Sequence, residues 1–176
     1  MPRPLHAYWH DLLKPVLRRD PPPIIPQALI LHERQVLLVQ RASPRFWELP
    51  GGRMAPGETP EETVRREVWE ETGVQVAIVE LLGWYERTGF RAHWAPVYLG
   101  RPQGGTPQPQ DEDSVQARYF PLQQLPRGLC PWYRTILDTD LSSPQPRPLR
   151  QRQHLGVGTV LHCLGLDLGS RLGFFP

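Results

Sequence analysis

Glu67, Glu70 and Glu71 stand at i, i+3 and i+4, so a helix through them would crowd three carboxylates onto one face within a single turn. Like charges at that spacing repel by about a few tenths of a kcal/mol each when exposed, and by more when partly buried. A hard divalent cation would remove the repulsion, and a ligand set made only of oxygens suits Mg2+ or Mn2+ rather than zinc. Ahead of the trio, Pro50-Gly51-Gly52 removes side-chain bulk where backbone must approach a metal ion or a phosphate. The competing reading is a solvated Glu/Arg surface with Arg66–Glu70 as an exposed pair, but such a surface has no use for a glycine loop, Glu58 and Arg66 at fixed offsets.

The element that must position these groups can be read locally. Thr59 is a capping residue, Pro60 suits the first helical position, and Glu62 lies where it closes a capping box. No glycine interrupts residues 60–72, Val64 and Val68 lie on one face, and Gly73 can adopt the left-handed conformation that ends a helix. The pattern predicts a helix over 60–72, about three and a half turns at roughly 3.6 residues per turn.

The full stretch from Gly52 to Val74, GRMAPGETPEETVRREVWEETGV, matches GX5EX7REUXEEXGU, with U aliphatic, position for position. In this it resembles the Nudix, or MutT-like, superfamily of hydrolases. The resemblance implies an α/β fold, the Nudix-type α/β/α sandwich with a mixed β-sheet and the loop-helix-loop at its edge. It also implies an enzyme that hydrolyses a nucleoside diphosphate linked to another moiety. Mg2+, with Mn2+ as a substitute, would be held by Glu67, Glu70, Glu71 and the backbone carbonyl of Gly51, neutralising the pyrophosphate and activating water. Arg66 would orient Glu67, Glu58 would steady the loop, and the general base would be Glu67, Glu70 or Glu112.

The run from Arg41 to Gly52 is similar to the family's R…WELPGG approach, which makes Arg41, and after it Arg45, the candidates for substrate phosphate, with Gly52 beside them. Glu112, followed by Asp113, is the acidic residue before a later strand that relatives use for metal or water activation. Tyr85, Phe90, His93 and Trp94 are aromatic groups that could stack on a base or pack in the core. Substrate class is open between a (d)NTP, a nucleotide sugar such as ADP-ribose and a dinucleoside polyphosphate. Glycine at 89 and arginine at 91, where the latter two classes of relatives carry proline and tyrosine, lean towards a MutT-type (d)NTP pyrophosphatase. A nucleotide sensor without turnover is the alternative of another class, although such sensors often lose carboxylates that are all present here.

The 176 residues allow one domain with short extensions: 1–23, a Nudix-like domain over 24–141, and 142–176. Hydrophobic residues at 39% support a packed core, and 22 prolines predict rigid loops. No apolar run reaches the length of a membrane span and no signal core follows Met1, so no membrane partner and a cytoplasmic protein are expected. A net charge of +2 is too small to imply a nucleic-acid partner, although it divides unevenly, as +2, −3 and +3 over the three segments 1–23, 24–144 and 145–176. The two cysteines, Cys130 and Cys163, lack metal-type spacing and read as unpaired thiols.

In chain order, 6–19 has an amphipathic pattern broken by Pro15, readable as packing extension, active-site flap or arm of a homodimer. Residues 24–32 and 35–40 read as a strand hairpin, 75–85 and 91–100 as strands with a turn at 86–90, and 115–121 as another strand. Residues 101–110 read as a loop and 131–138 as a closing helix. Past a Pro-rich linker at 142–148, Val157, Val160, Leu161, Leu164 and Leu168 fit one helical face, while His154, His162 and Cys163 lack the pairing of a zinc motif.

Overall fold

The computed structural model describes residues 21–89, 92–138 and 148–174. The amphipathic segment 6–19, Phe90 and most of the linker at 142–148 lie outside them. The strands are β1 (Gln27–His32), β2 (Gln35–Arg41), β3 (Trp47–Glu48), β4 (Val74–Gly89), β5 (His93–Gly105), β6 (Ser114–Pro121) and β7 (Leu149–Leu155). The helices are α1 (Pro60–Thr72), α2 (Pro131–Leu137) and α3 (Val157–Arg171). No helix among the described residues is long and apolar enough to cross a membrane.

Alternation along the strands builds two apolar layers, because successive side chains point to opposite faces. Leu29, Val36, Leu38 and Val97 face one layer, which Tyr133 and Ile136 of α2 close and Cys163 of α3 touches. Ala28, Ile30, Leu37 and Tyr98 face the other, closed by Val64 and Val68 of α1. Full burial of each of these valines contributes roughly 1.5–3 kcal/mol relative to exposure, which fixes the helix against the sheet. The result is an α/β/α sandwich.

The sheet runs β3-β2-β1-β5-β4-β7, with β6 also paired to β2. It is mixed: β1 lies parallel to β5 and β7 parallel to β4, while β1–β2, β4–β5 and β2–β6 are antiparallel. The predicted hairpin forms, turning at Glu33 with φ +55. Helix α1 has the predicted bounds; Thr59 accepts the Glu62 N–H, Glu62 returns to the Thr59 N–H, and Gly73 ends the helix at φ +68.

Three readings change. The turn expected at 86–90 is strand as far as Gly89, and Arg101–Gly105 of the expected loop extend β5 to pair with the start of β4, Val74 opposite Gly105. Backbone pairing with a neighbouring strand outweighs a Gly/Pro-rich composition there. Residues 149–155, polar at most positions, form the edge strand β7. Helix α3 forms where periodicity placed it, yet Val157, Leu161 and Leu168 are exposed, whereas Leu166, Asp167 and Gly169 are buried. Hydrogen bonding by Asp167 decides which side docks: its carboxylate accepts the Arg45 backbone N–H.

One charged group ties the C-terminal elements to the sheet. Arg87 of β4 is buried, with Trp132 and Tyr133 each 5.0 Å from its guanidinium carbon. It donates to Gln153 of β7 at 3.1 Å and bonds His93 at 3.1 Å. The cation–π contacts and hydrogen bonds offset part of its desolvation.

Because Thr59 closes both halves of the capping box, Thr59→Ala is expected to lower stability by about 1 kcal/mol. A shift in the urea midpoint at unchanged slope would show it, and an unchanged midpoint would mean that the cap contributes nothing.

Candidate functional site

The segment from Pro50 to Thr59 and the first turns of α1 are held together by one side chain. Arg66 has five N–H groups, and each finds an oxygen. Nε donates to Glu58 Oε1 at 2.6 Å, and Nη2 donates to Glu58 Oε2 at 2.9 Å and to the Arg53 carbonyl at 3.0 Å. Nη1 donates to Glu67 Oε1 at 2.8 Å and to Glu70 Oε2 at 2.9 Å. Glu58 Oε2 also accepts from Ala55 N and Thr63 Oγ1, each at 2.8 Å, so Glu58 joins the loop to the helix. The bidentate bond from Arg66, helped by the Ala55 N–H, holds the Glu58 carboxyl down to about 2.

Glu67 lies over the backbone of Gly52. A Cβ added at Gly52 would come within 2.3 Å of the Glu67 carboxyl carbon, so only glycine lets this carboxylate sit flat on the loop. Burial raises the Glu67 pKa, partly opposed by Arg66.

Glu71 has a different setting. It is 1% exposed; Oε1 accepts from Arg41 Nη1 and Oε2 from the Gly51 N–H, both at 2.8 Å. Burial raises its pKa well above the carboxylate range against the pull of Arg41. Arg41 also lies 3.5 Å from Glu48 of β3, and the Glu48 charge is the largest influence stabilising its protonated form. Glu48 belongs to the site although sequence reading did not single it out. Its signal was its place beside Arg41 in the hairpin of β2 and β3, where Val39 pairs with Glu48.

The three carboxylates therefore do not share one point, and among the described residues no group of three or more His, Cys, Asp or Glu side chains converges as a metal site. The reason lies in helical spacing. Glu71 falls three residues after Val68 and seven after Val64, on the stripe that faces the sheet, whereas Glu70 faces outward and its side chain is 44% exposed.

The remaining candidates divide. Arg41 is in the site, and Gly51 and Gly52 line it. Arg45 is not in the Arg66 cluster: its backbone is held by Asp167 of α3, and its buried Nε has no hydrogen-bond partner among the described residues. Glu112 is exposed at the end of the preceding loop; the acidic neighbours whose charge acts on Arg41 are Asp113 and Asp111. That loop reaches the site because the Ala42 N–H donates to the Asp113 carbonyl at 2.8 Å. Tyr85 is 1% exposed in the apolar layer beneath α2 and has no surface for a base, so its reading as a stacking platform is corrected to core; it falls on the inward face of β4. His93 is buried against Arg87, and Trp94 packs edge-on against Trp84.

The donor chemistry fits a hard divalent cation. Oε2 of Glu67 and Oε1 of Glu70 accept no hydrogen bond among the described residues, and every candidate ligand atom is oxygen. A positive charge would also offset the desolvation of Glu67 and Glu71.

Glu58 supplies a measurable mark of the Arg66 cluster. Its depressed pKa means that its contribution to stability is present above the ordinary carboxylate value and is lost as pH falls through about 2. In an NMR titration of side-chain carboxyls, Glu58 is expected to be the late-titrating glutamate. A midpoint in the ordinary range would show that the pair with Arg66 is loose.

The family model for the NUDIX domain matches residues 25–139. A "MutT-like protein" of Streptomyces ambofaciens is 40% identical over 49% of this chain and 56% of its own length. A protein of Bacillus subtilis (strain 168) named "Putative 8-oxo-dGTP diphosphatase" is 34% identical over 58% of this chain and 69% of its own. Among solved structures, a NUDIX hydrolase from Nitrosomonas europaea superposes with a TM-score of 0.65 at 24% identity, covering 76% of this chain and 80% of that one. At that identity the superposition speaks for the fold. The chain spans little more than half the length of the Streptomyces relative.

Proposed function

The chain belongs to the NUDIX domain family, and from that premise we propose that it hydrolyses the pyrophosphate bond of a nucleoside diphosphate linked to another moiety, with a (d)NTP as substrate. The observation that carries the proposal is the Arg66 cluster, in which one guanidinium holds Glu58, Glu67 and Glu70 in place and leaves one oxygen of Glu67 and one of Glu70 open. The name of the Bacillus relative supports the substrate class, as do Gly89 and Arg91.

In this reading Glu67 and Glu70, by their open oxygens, and the Gly51 carbonyl are the residues that would hold Mg2+, for which Mn2+ could substitute, and Glu71 would join them by giving up its bond to Arg41 or to the Gly51 N–H. The ion, when bound, supplies neutralisation of phosphate charge and a lowered pKa for water. The chain's own groups do the rest. Arg66 keeps the Glu67 and Glu70 carboxylates oriented, as a charge-assisted fork can. Arg41 has Nη2 without a partner among the described residues and can donate it to a substrate phosphate oxygen. Gly52 lets the phosphates approach the loop. The proton of the attacking water goes to a carboxylate: Glu67 is partly buried, which raises its pKa, and Glu70 is the more open to solvent. Glu112, exposed on the acidic loop before β6, is the third carboxylate that could take this proton.

Glu70→Gln keeps the size and the bond to Arg66 while removing the charge. It is expected to lower kcat by about a hundredfold or more, the loss typical of a missing acid–base or ligand carboxylate, with an unchanged circular dichroism spectrum. Turnover like wild type at saturating Mg2+ would remove Glu70 from the site. A phosphate- and pyrophosphate-release screen over (d)NTPs, nucleotide sugars and dinucleoside polyphosphates, with Mg2+ and with EDTA, tests the substrate. Release from (d)NTPs that EDTA abolishes is the expected pattern; release from ADP-ribose alone would overturn the (d)NTP reading.

A further inference from the structure

The chain has two cysteines, separated in sequence and carried by different elements. Cys130 caps α2 and is fully buried; its N–H donates to the Trp47 carbonyl at 3.0 Å, which anchors it to β3. Cys163 lies in the middle of α3 and is only partly buried. The fold brings their sulfurs to 4.0 Å. A disulfide requires about 2.05 Å between sulfurs, so bonding needs an approach of about 2 Å, within reach of a χ1 rotation in Cys163 or a small sliding of α3.

We propose that Cys130 and Cys163 form an oxidation site, in which a hydroperoxide converts the two thiols to a disulfide within the chain and so fastens α3 to the start of α2. Cys163 is the first nucleophile because it is the accessible one, and contact with the Cys130 thiol lowers its pKa while burial pushes the Cys130 thiol up. Its thiolate attacks one peroxide oxygen; the O–O bond breaks, the leaving oxygen departs as water or alcohol after protonation, and Cys163 becomes a sulfenic acid. The Cys130 sulfur then attacks the Cys163 sulfur, the S–S bond forms, and the hydroxyl leaves as water with the Cys130 proton. The peroxide gains two electrons and the thiol pair loses two.

The fastening matters because α3 grips the segment that follows Arg41. Asp167 accepts the Arg45 N–H, Arg171 donates to the Ala42 carbonyl at 3.4 Å, and Ser170 accepts from Gln40 at 3.3 Å. None of these bonds is fully buried, and the outer face of α3 with Val157, Leu161 and Leu168 is exposed, so in the reduced protein α3 opens locally at a cost well below global unfolding. A covalent link from its midpoint removes that opening.

The test uses the full reduced chain exposed to excess hydrogen peroxide, alkylated and mapped with trypsin without reduction. The expected product is monomeric, lighter by two hydrogen atoms, and joins peptide Gly128–Arg134 to peptide Gln153–Arg171. Reduction with dithiothreitol restores two titratable thiols. Amide exchange across 157–171 is expected to slow severalfold on oxidation in the wild type and to be unaffected in Cys163→Ser, whose folding is checked by circular dichroism. The proposal is overturned if Cys163 proceeds to sulfinic acid while Cys130 stays alkylatable, if the bond joins two chains, or if exchange in α3 is the same before and after oxidation. None of these readouts involves nucleotide hydrolysis, so the outcome is independent of the function proposed above.

Discussion

A single guanidinium with every N–H committed is the constraint around which the candidate site is arranged. Carboxylates from a loop and from two positions on a helix repel one another, and a point charge on a flexible stem could not hold all three at fixed angles. Arg66 can, because its planar fork presents five donors in set directions. Glu58 takes one edge, Glu67 and Glu70 share the opposite nitrogen, and the Arg53 carbonyl takes the last hydrogen. The loop is thereby tied to the helix through charge rather than apolar packing, and the Glu67 and Glu70 oxygens that Arg66 does not use accept no other hydrogen bond among the described residues.

Glu71 shows the opposite solution to the same problem. Its carboxylate lies on the stripe that Val64 and Val68 use to pack α1 onto the sheet, where an unpaired charge would be costly. The Gly51 N–H and Arg41 satisfy one oxygen each, and Glu48 in turn faces Arg41. The chain of contacts runs from the helix through the glycine loop to the end of β2, so the position of Arg41 depends on a residue thirty positions away in sequence. Helix packing and the placement of a phosphate-binding candidate are thus one interaction seen from two sides.

What could be read from residue order was what local rules govern. The cap at Thr59, the box with Glu62 and the stop at Gly73 all follow from short-range geometry, and each stands where the spacing put it. The hairpin of β1 and β2 and the closing helix α2 were legible for the same reason. Long-range contacts were not. Tyr85 is core because a helix far along the chain covers its face of β4, and Arg101–Gly105 are strand because Val74–Ala77 need partners. The docked side of α3 is set by Asp167, a polar residue that an apolar periodicity passes over. The neighbours of Arg41 needed the register of β2 against β6, which brings Asp111 and Asp113 near it.

The match to the family ends at residue 139, yet the molecule's physical unit does not. Arg87 is a cation inside the apolar layer, and one of the groups that make it tolerable there, Gln153, comes from β7. Gln153 also donates to the Trp132 carbonyl and to Thr135, so the same amide stitches β7 to α2. A core that encloses a charge must keep its counterparts at hand, and here one of them is delivered by the tail. The last strand is therefore bound into the domain's solvation balance: what looks in sequence like an appendix serves as part of the wall that keeps water from a buried ion.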